Sequence, residues 1–88
     1  MEIQLLTQED CAFCEDAKAI LGRLSAQYGF SIATVQLESA DGQALAERAG
    51  VMFPPGILID GEPFSHGRLS EKHLRRELDR RIGIVRGA

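Results

Sequence analysis

Two periods of hydrophobic spacing alternate along this chain. Residues 2–6, EIQLL, form a short apolar run of strand type. The spacing then lengthens. Ala17, Ile20, Leu21, Leu24 and Tyr28 fall on one apolar stripe at helical intervals, which predicts a helix from residue 12 to about residue 28. Gly29 is its natural stop. Residues 30–37, FSIATVQL, are β-branched and alternate, which predicts a second strand. In SADGQALAERAG, Ser39 or Asp41 can cap a short alanine-rich helix that ends at Gly50. The stretch MFPP breaks the chain, and GILID is a compact apolar strand. Asp60-Gly61 is a tight hairpin signal that returns the chain through EPF. Ser70 can cap a last helix, on which Leu74, Leu78 and Ile82 recur every four residues.

The predicted order is β-α-β-α-β-β-α. A helix between the first two strands requires a parallel pair joined by a right-handed crossover. The hairpin makes the last two strands antiparallel. The expected fold is an α/β sandwich: a four-stranded mixed sheet with helices on both faces. Its 88 residues are read as a single domain, residues 1–88, with one modest core.

Composition changes little in this picture, but charge adds to it. The chain is 44% hydrophobic and 26% charged, with a formal net charge of −3. Residues 1–67 hold ten acidic and three basic side chains, and residues 68–88 hold three acidic and seven basic ones. The basic run on the last helix reads either as a solvated face or as a docking surface for an acidic partner. The negative net charge, and the absence of aromatic residues among the basic ones, argue against nucleic acid. No apolar run approaches a membrane span, and residues 1–10 lack the basic start and long apolar region of a secretory signal. A cytoplasmic protein away from membranes is expected.

Candidate chemistry is concentrated in EDCAFCED, residues 9–16, which holds both cysteines. In a reducing compartment such a pair is catalytic or metal-binding rather than a structural staple. The pair falls where the first strand gives way to the first helix. Free N–H groups and the positive end of the helix dipole stabilise a thiolate at that place. Cys11, nearer the helix start, is the natural nucleophile. Cys14, one turn on and more buried, can resolve a mixed disulfide formed on Cys11. Three other readings stand beside this one. A zinc site would need His66 and His73, which lie on different elements. A structural disulfide would close only a small loop. Two unreactive core cysteines would pack as small hydrophobes.

Taken together, the strand, CAFC, the helix, FPP before the third strand, the DG hairpin and the last helix resemble the glutaredoxin branch of the thioredoxin superfamily, over nearly the whole chain. The resemblance implies a thioredoxin-like, glutaredoxin-type fold. It also implies a cis-proline at Pro55 in a loop beside the cysteines that presents backbone to the substrate. Several residues depart from the family pattern. Ala12 stands where the family has proline or glycine, and Phe13 where glutaredoxins have tyrosine. Gln8 replaces a common basic residue. Pro54, which precedes Pro55, has no N–H to give a substrate. The family's glycine pair and acidic residue at the last helix, which hold glutathione, are here SHGRLSE, a weak match.

The expected function is therefore that of a thiol–disulfide oxidoreductase acting through Cys11 and Cys14. Phe13, Phe53, Pro54, Pro55 and Arg68 are the candidates for substrate contact. Phe13 and Phe53 could rim the sulfurs, although for Phe53 core or loop packing is the more ordinary fate. Arg68 could pair with a substrate carboxylate or form a plain surface ion pair. No metal and no bound cofactor are expected. Electrons would come from an external thiol or a reductase, with glutathione disfavoured by the weak match. The partners are a disulfide-bearing protein or a small thiol, and the chain is expected to be a monomer. The alternatives are a protein that holds a metal or an iron–sulfur cluster, and a redox-inactive interaction module. The four acids around CAFC suit a helix N-terminus but oppose an anionic sulfur. With Gln8 in place of a base, they predict a less stabilised Cys11 thiolate and a protein that leans toward reductant.

Overall fold

A computed structural model describes residues 1–82. The elements are β1 (Glu2–Thr7), α1 (Ala12–Tyr28), β2 (Ser31–Gln36), α2 (Ala40–Ala49), β3 (Gly56–Ile59), β4 (Glu62–His66) and α3 (Glu71–Ile82). This is the predicted order. One sheet runs β2-β1-β3-β4, with β1 parallel to β2 and antiparallel to β3, and β3 antiparallel to β4. The fold is thioredoxin-like and of glutaredoxin type.

Two apolar clusters hold the layers together. On one face, Ile3, Leu5, Ile57 and Ile59 of the sheet meet Ala17, Ile20, Leu21 and Leu24 of α1 and Leu74 and Leu78 of α3. On the other, Leu6 and Leu58 meet Leu45 of α2, with Val35, Leu37 and Val51 packed around them. The strand alternation explains the division, since successive side chains point to opposite faces. β3 is buried along its whole length, as a central strand covered on both faces must be. Tyr28 ends the α1 stripe only half-buried. Its ring packs on the first cluster, and its hydroxyl donates to Asp79 Oδ1 at 2.7 Å.

The ends of the elements follow the local chemistry. Ser39, not Asp41, caps α2: its Oγ accepts from the Gly42 N–H at 2.9 Å. Gly42 sits so close to β2 that a Cβ there would overlap the Gln36 carbonyl. In the β3–β4 turn, Asp60 and Gly61 both take positive φ (49° and 84°), the geometry of the tightest hairpins, and glycine carries its half without a Cβ clash. Ser70 caps α3 by accepting from the His73 N–H at 3.2 Å. β4 runs two residues beyond the expected EPF, to His66, and a bulge opposite Ile57/Leu58 interrupts its register with β3.

Three of the five lysines and arginines of α3 are committed to ion pairs. Arg75 holds Glu71, which also meets Arg23 of α1, while Arg80 and Arg81 both hold Glu77. Arg81 reaches on to Glu62 of β4. Arg75 also donates to Gln27 at 2.8 Å, so α1 and α3 are tied along their length. These contacts favour the solvated, ion-paired face over a docking surface. Residues 83–88, which carry part of the expected basic run, lie outside the described residues.

Hydrogen bonds from Arg80 and then Arg81 hold the Glu77 carboxyl down from 4.5 to about 2. A group whose acidity is raised by folding stabilises the folded state above its unfolded pKa, and that contribution fades as pH falls through the folded one. Wild-type stability should therefore decline between pH 4.5 and about 2 in part through Glu77. Glu77→Gln should lower stability at neutral pH and flatten that decline, as measured by thermal midpoints across the window. An acid limb of unchanged slope in the variant would rule the contribution out.

Candidate functional site

The site lies at one end of the sheet, and strand register puts it there. β1 ends at Thr7, and Leu6 pairs with Gly56, the first residue of β3, so Pro54 and Pro55 adjoin the end of β1. Gly56 in turn pairs with His66, the last residue of β4. The segment between β1 and α1, the loop before β3 and the exit from β4 therefore gather at the same edge. The Gly67 N–H ties the last two together by reaching the carbonyls of both Phe53 (3.1 Å) and Pro55 (2.9 Å). The Pro54–Pro55 peptide is cis, at the proline expected to be so.

From Thr7 the chain turns through Gln8, Glu9 and Asp10. Asp10 takes a left-handed φ of 52°, a conformation that aspartate tolerates better than most residues. Cys11 follows as the N-cap of α1, extended at φ −126° and ψ 104°. Its Sγ accepts from the Cys14 N–H at 3.1 Å, and its carbonyl accepts from Cys14 and Glu15 N–H groups, also at 3.1 Å. The sulfur thus occupies the place of a capping oxygen, with a main-chain donor aimed at it. Cys11 and Cys14 are joined as a disulfide, their Cα atoms 5.2 Å apart. Cys14 is fully buried and Cys11 partly exposed, the asymmetry expected from position alone.

Around this pair the expected contact residues fall into three groups. Phe13, within the motif, is 51% exposed. Phe53 is 62% exposed, with its ring 6.2 Å from that of His66 between centroids, so it is not the core residue that ordinary packing would make it. Pro55 is buried and Pro54 half-buried. Arg68 stands apart from these. It lines a groove of about 490 Å³ between α1 and the start of α3, with Asp16, Ile20, Leu69, Ser70 and Glu71, and has no ion-pair partner among the described residues. Met52, 74% exposed beside Phe53, was not singled out by the sequence. The available signal was an apolar pair, Met52-Phe53, between Gly50 and the prolines, in a stretch too short to bury both.

The acids also have definite places. Glu15 in the first turn of α1 pairs with Lys18 at 3.2 Å. Glu9, Asp10 and Asp16 are exposed. Among the described residues no group of three or more His, Cys, Asp or Glu converges as a metal set. No helix among them is long and apolar enough to cross a membrane.

The sequence matches the Glutaredoxin-like domain family over residues 2–79. The chain belongs to this family. An uncharacterized protein of Mycobacterium bovis is 29% identical over 82 residues, covering 90% of this chain and 84% of its own. An uncharacterized protein of Mycobacterium tuberculosis matches to the same extent. Among solved structures, a mutant thioredoxin from Halobacterium salinarum superposes with a TM-score of 0.75 at 22% identity, covering 96% of this chain and 76% of that one. A thioredoxin-like protein from Clostridium perfringens gives 0.72 at 20% identity, covering 90% and 68%. Those structural likenesses establish the fold. With the cysteine pair at disulfide distance, the glutaredoxin-like chain has an arrangement compatible with redox activity.

The burial asymmetry has a direct chemical readout. After mild reduction, a small alkylating agent should label Cys11 well ahead of Cys14, as followed by peptide mass analysis over time. Equal labelling rates in folded protein would show that the buried position of Cys14 does not protect it.

Proposed function

We propose that the protein is a thiol–disulfide oxidoreductase that reduces disulfides of proteins or small molecules. One observation carries the reading: a partly exposed sulfur at a helix N-cap, Cys11, bonded to a fully buried one, Cys14. In the dithiol form the Cys11 thiolate attacks one sulfur of the substrate disulfide. The other substrate sulfur leaves as a thiolate and takes up a proton. Cys14 then loses its proton and attacks the Cys11 sulfur, expelling the second substrate thiolate. Two electrons pass to the substrate and the Cys11–Cys14 disulfide forms. An external thiol or a reductase restores the dithiol.

The surroundings support this division of labour. The Cys14 N–H, which reaches the Cys11 sulfur, stabilises an anion there. Burial keeps Cys14 from outside disulfides but within reach of Cys11. Phe13, Phe53 and Met52 offer exposed apolar surface at this end of the sheet, and Pro54 and Pro55 shape the adjoining loop. Arg68, set on the α1–α3 groove, would meet a carboxylate of a substrate long enough to extend there. Glutathione is not the favoured donor, because the groove at the start of α3 carries Asp16 and Glu71 beside Arg68 and lacks the family's glycine pair.

Replacing Cys14 by Ser should trap a mixed disulfide on Cys11 and stop turnover, whereas Cys11→Ser should abolish both trapping and reduction. Insulin-type disulfide reduction and mass spectrometry of the trapped species read both outcomes. Full activity in both variants would sink the assignment. The acids around the pair and the uncharged Gln8 support a couple on the reducing side. A redox titration against dithiol buffers should give a potential more negative than about −200 mV. A value near about −120 mV, as in strong oxidants, would contradict it.

A further inference from the structure

The two edges of the sheet are built differently. β4 is blunted by Glu62, by Pro63 and by the bulge opposite Ile57/Leu58, the usual devices that keep an edge from pairing. β2, SIATVQ, has no charge and no proline, and its register with β1 is unbroken. Its main-chain groups can be assigned side by side. The Ser31 N–H donates to the Met1 carbonyl at 3.0 Å and the Leu37 N–H to the Thr7 carbonyl at 2.7 Å, so the odd-numbered residues turn toward β1. Ile32, Thr34 and Gln36 turn theirs outward, where the described residues add no further strand. The side chains of all three are exposed, and Ile32 is one of the large apolar residues left uncovered, at 39%.

We propose that β2 is a self-pairing edge, and that a second copy of this chain joins it antiparallel about a two-fold axis at Ala33. In that register Ile32 of each copy lies opposite Thr34 of the other, and the pair exchange N–H and C=O groups in both directions. The Gln36 N–H faces the Phe30 carbonyl of the other copy. The Gln36 carbonyl is the one outward group already in use, since it accepts from the Ser39 N–H and hydroxyl. Ala33 meets its own copy in a close, non-hydrogen-bonded pair, where a small side chain fits.

An uncharged edge suits a copy of itself better than a charged foreign strand. The groove beside β2 on the α2 face, lined by Gln4, Val35, Asp41, Ala44, Leu45 and Arg48, holds one carboxylate and one guanidinium. Neither is ion-paired among the described residues. Two such grooves on the same face of a joined sheet form a balanced set with no excess of like charge, and an uncharged strand gives a charged partner nothing to select. Antiparallel pairing also sends the two cysteine pairs to opposite ends of the joined sheet, so both stay open. The proposal replaces the monomer expected from the sequence.

Sedimentation equilibrium of the whole chain tests it. The wild type should form a dimer within a concentration series reaching about 1 mM, and Thr34→Pro and Ile32→Lys should each raise the dissociation constant about tenfold or more. Proline at position 34 removes an outward N–H and leaves the bonds to β1 in place. Lysine at position 32 adds charge to the edge without touching the backbone, so it serves if the proline variant does not fold by circular dichroism. A wild type that stays monomeric throughout overturns the proposal, including the case in which this edge takes a strand of another protein. A dimer that the folded variants leave intact also overturns it.

Discussion

The start of α1 is where sheet, helix and sulfur chemistry meet. The chain leaves the central strand β1 at Thr7 and must begin a helix that packs back over the same sheet. It manages this in a few residues: Asp10 takes a left-handed conformation, and Cys11 supplies both the extended cap residue and the capping atom. The hydrogen bond from Cys14 N–H to Cys11 Sγ therefore does two things. It satisfies one of the orphan donors at a helix start, and it aims a fixed partial positive charge at the sulfur that faces outward. The α1 stripe then sets the rotation of the helix. With Ala17, Leu21 and Leu24 buried against Ile3, Leu5 and Ile57, Cys14 is carried inward and Phe13 outward. The burial difference between the cysteines thus follows from the same periodicity that builds the core.

The opposite wall of the site depends on β3. All of Gly56–Ile59 is buried, and its pairing on both sides leaves little freedom in where the preceding loop can lie. The Gly67 N–H, shared between the Phe53 and Pro55 carbonyls, fixes that loop to the end of β4. Phe53 and Met52 are left on the outside because the backbone on either side of them is already committed.

Much of this could be read from the sequence, for identifiable reasons. The α1 and α3 stripes, the Ser39 and Ser70 caps and the Asp60-Gly61 turn are local features, decided by residues within a turn or two of each other. The cysteines' relative burial was legible from position, since Cys11 stands at the helix start and Cys14 within its first turn. What escaped depends on contacts distant in sequence. Phe53 reads as a packing residue until its exposure is known. Tyr28 reads as core until Asp79, 51 residues on, takes its hydroxyl. The basic run of the last helix reads as a solvated face or a docking surface until Arg75, Arg80 and Arg81 find Glu71, Glu77 and Glu62. Nor does the pattern of SIATVQ say which of its main-chain groups point away from the sheet, since that is set by pairing with β1.

The acids around the cysteines can now be placed in the balance at this helix start. Carboxylates there stabilise the helix by complementing its dipole, by about 0.3–1 kcal/mol each at an exposed site. The same dipole stabilises an anionic Cys11 sulfur, so acids and sulfur compete for one positive field. Side-chain cations do little to tip the contest. Lys18 is drawn to Glu15, and the arginines of α3 are mostly engaged with their own glutamates. What remains for the sulfur is chiefly the main chain, above all the Cys14 N–H. An anionic sulfur supported mainly by the main chain, among exposed carboxylates, is a weaker leaving group and a stronger nucleophile than one beside positively charged side chains. That balance is what the proposed role as a reductant calls for.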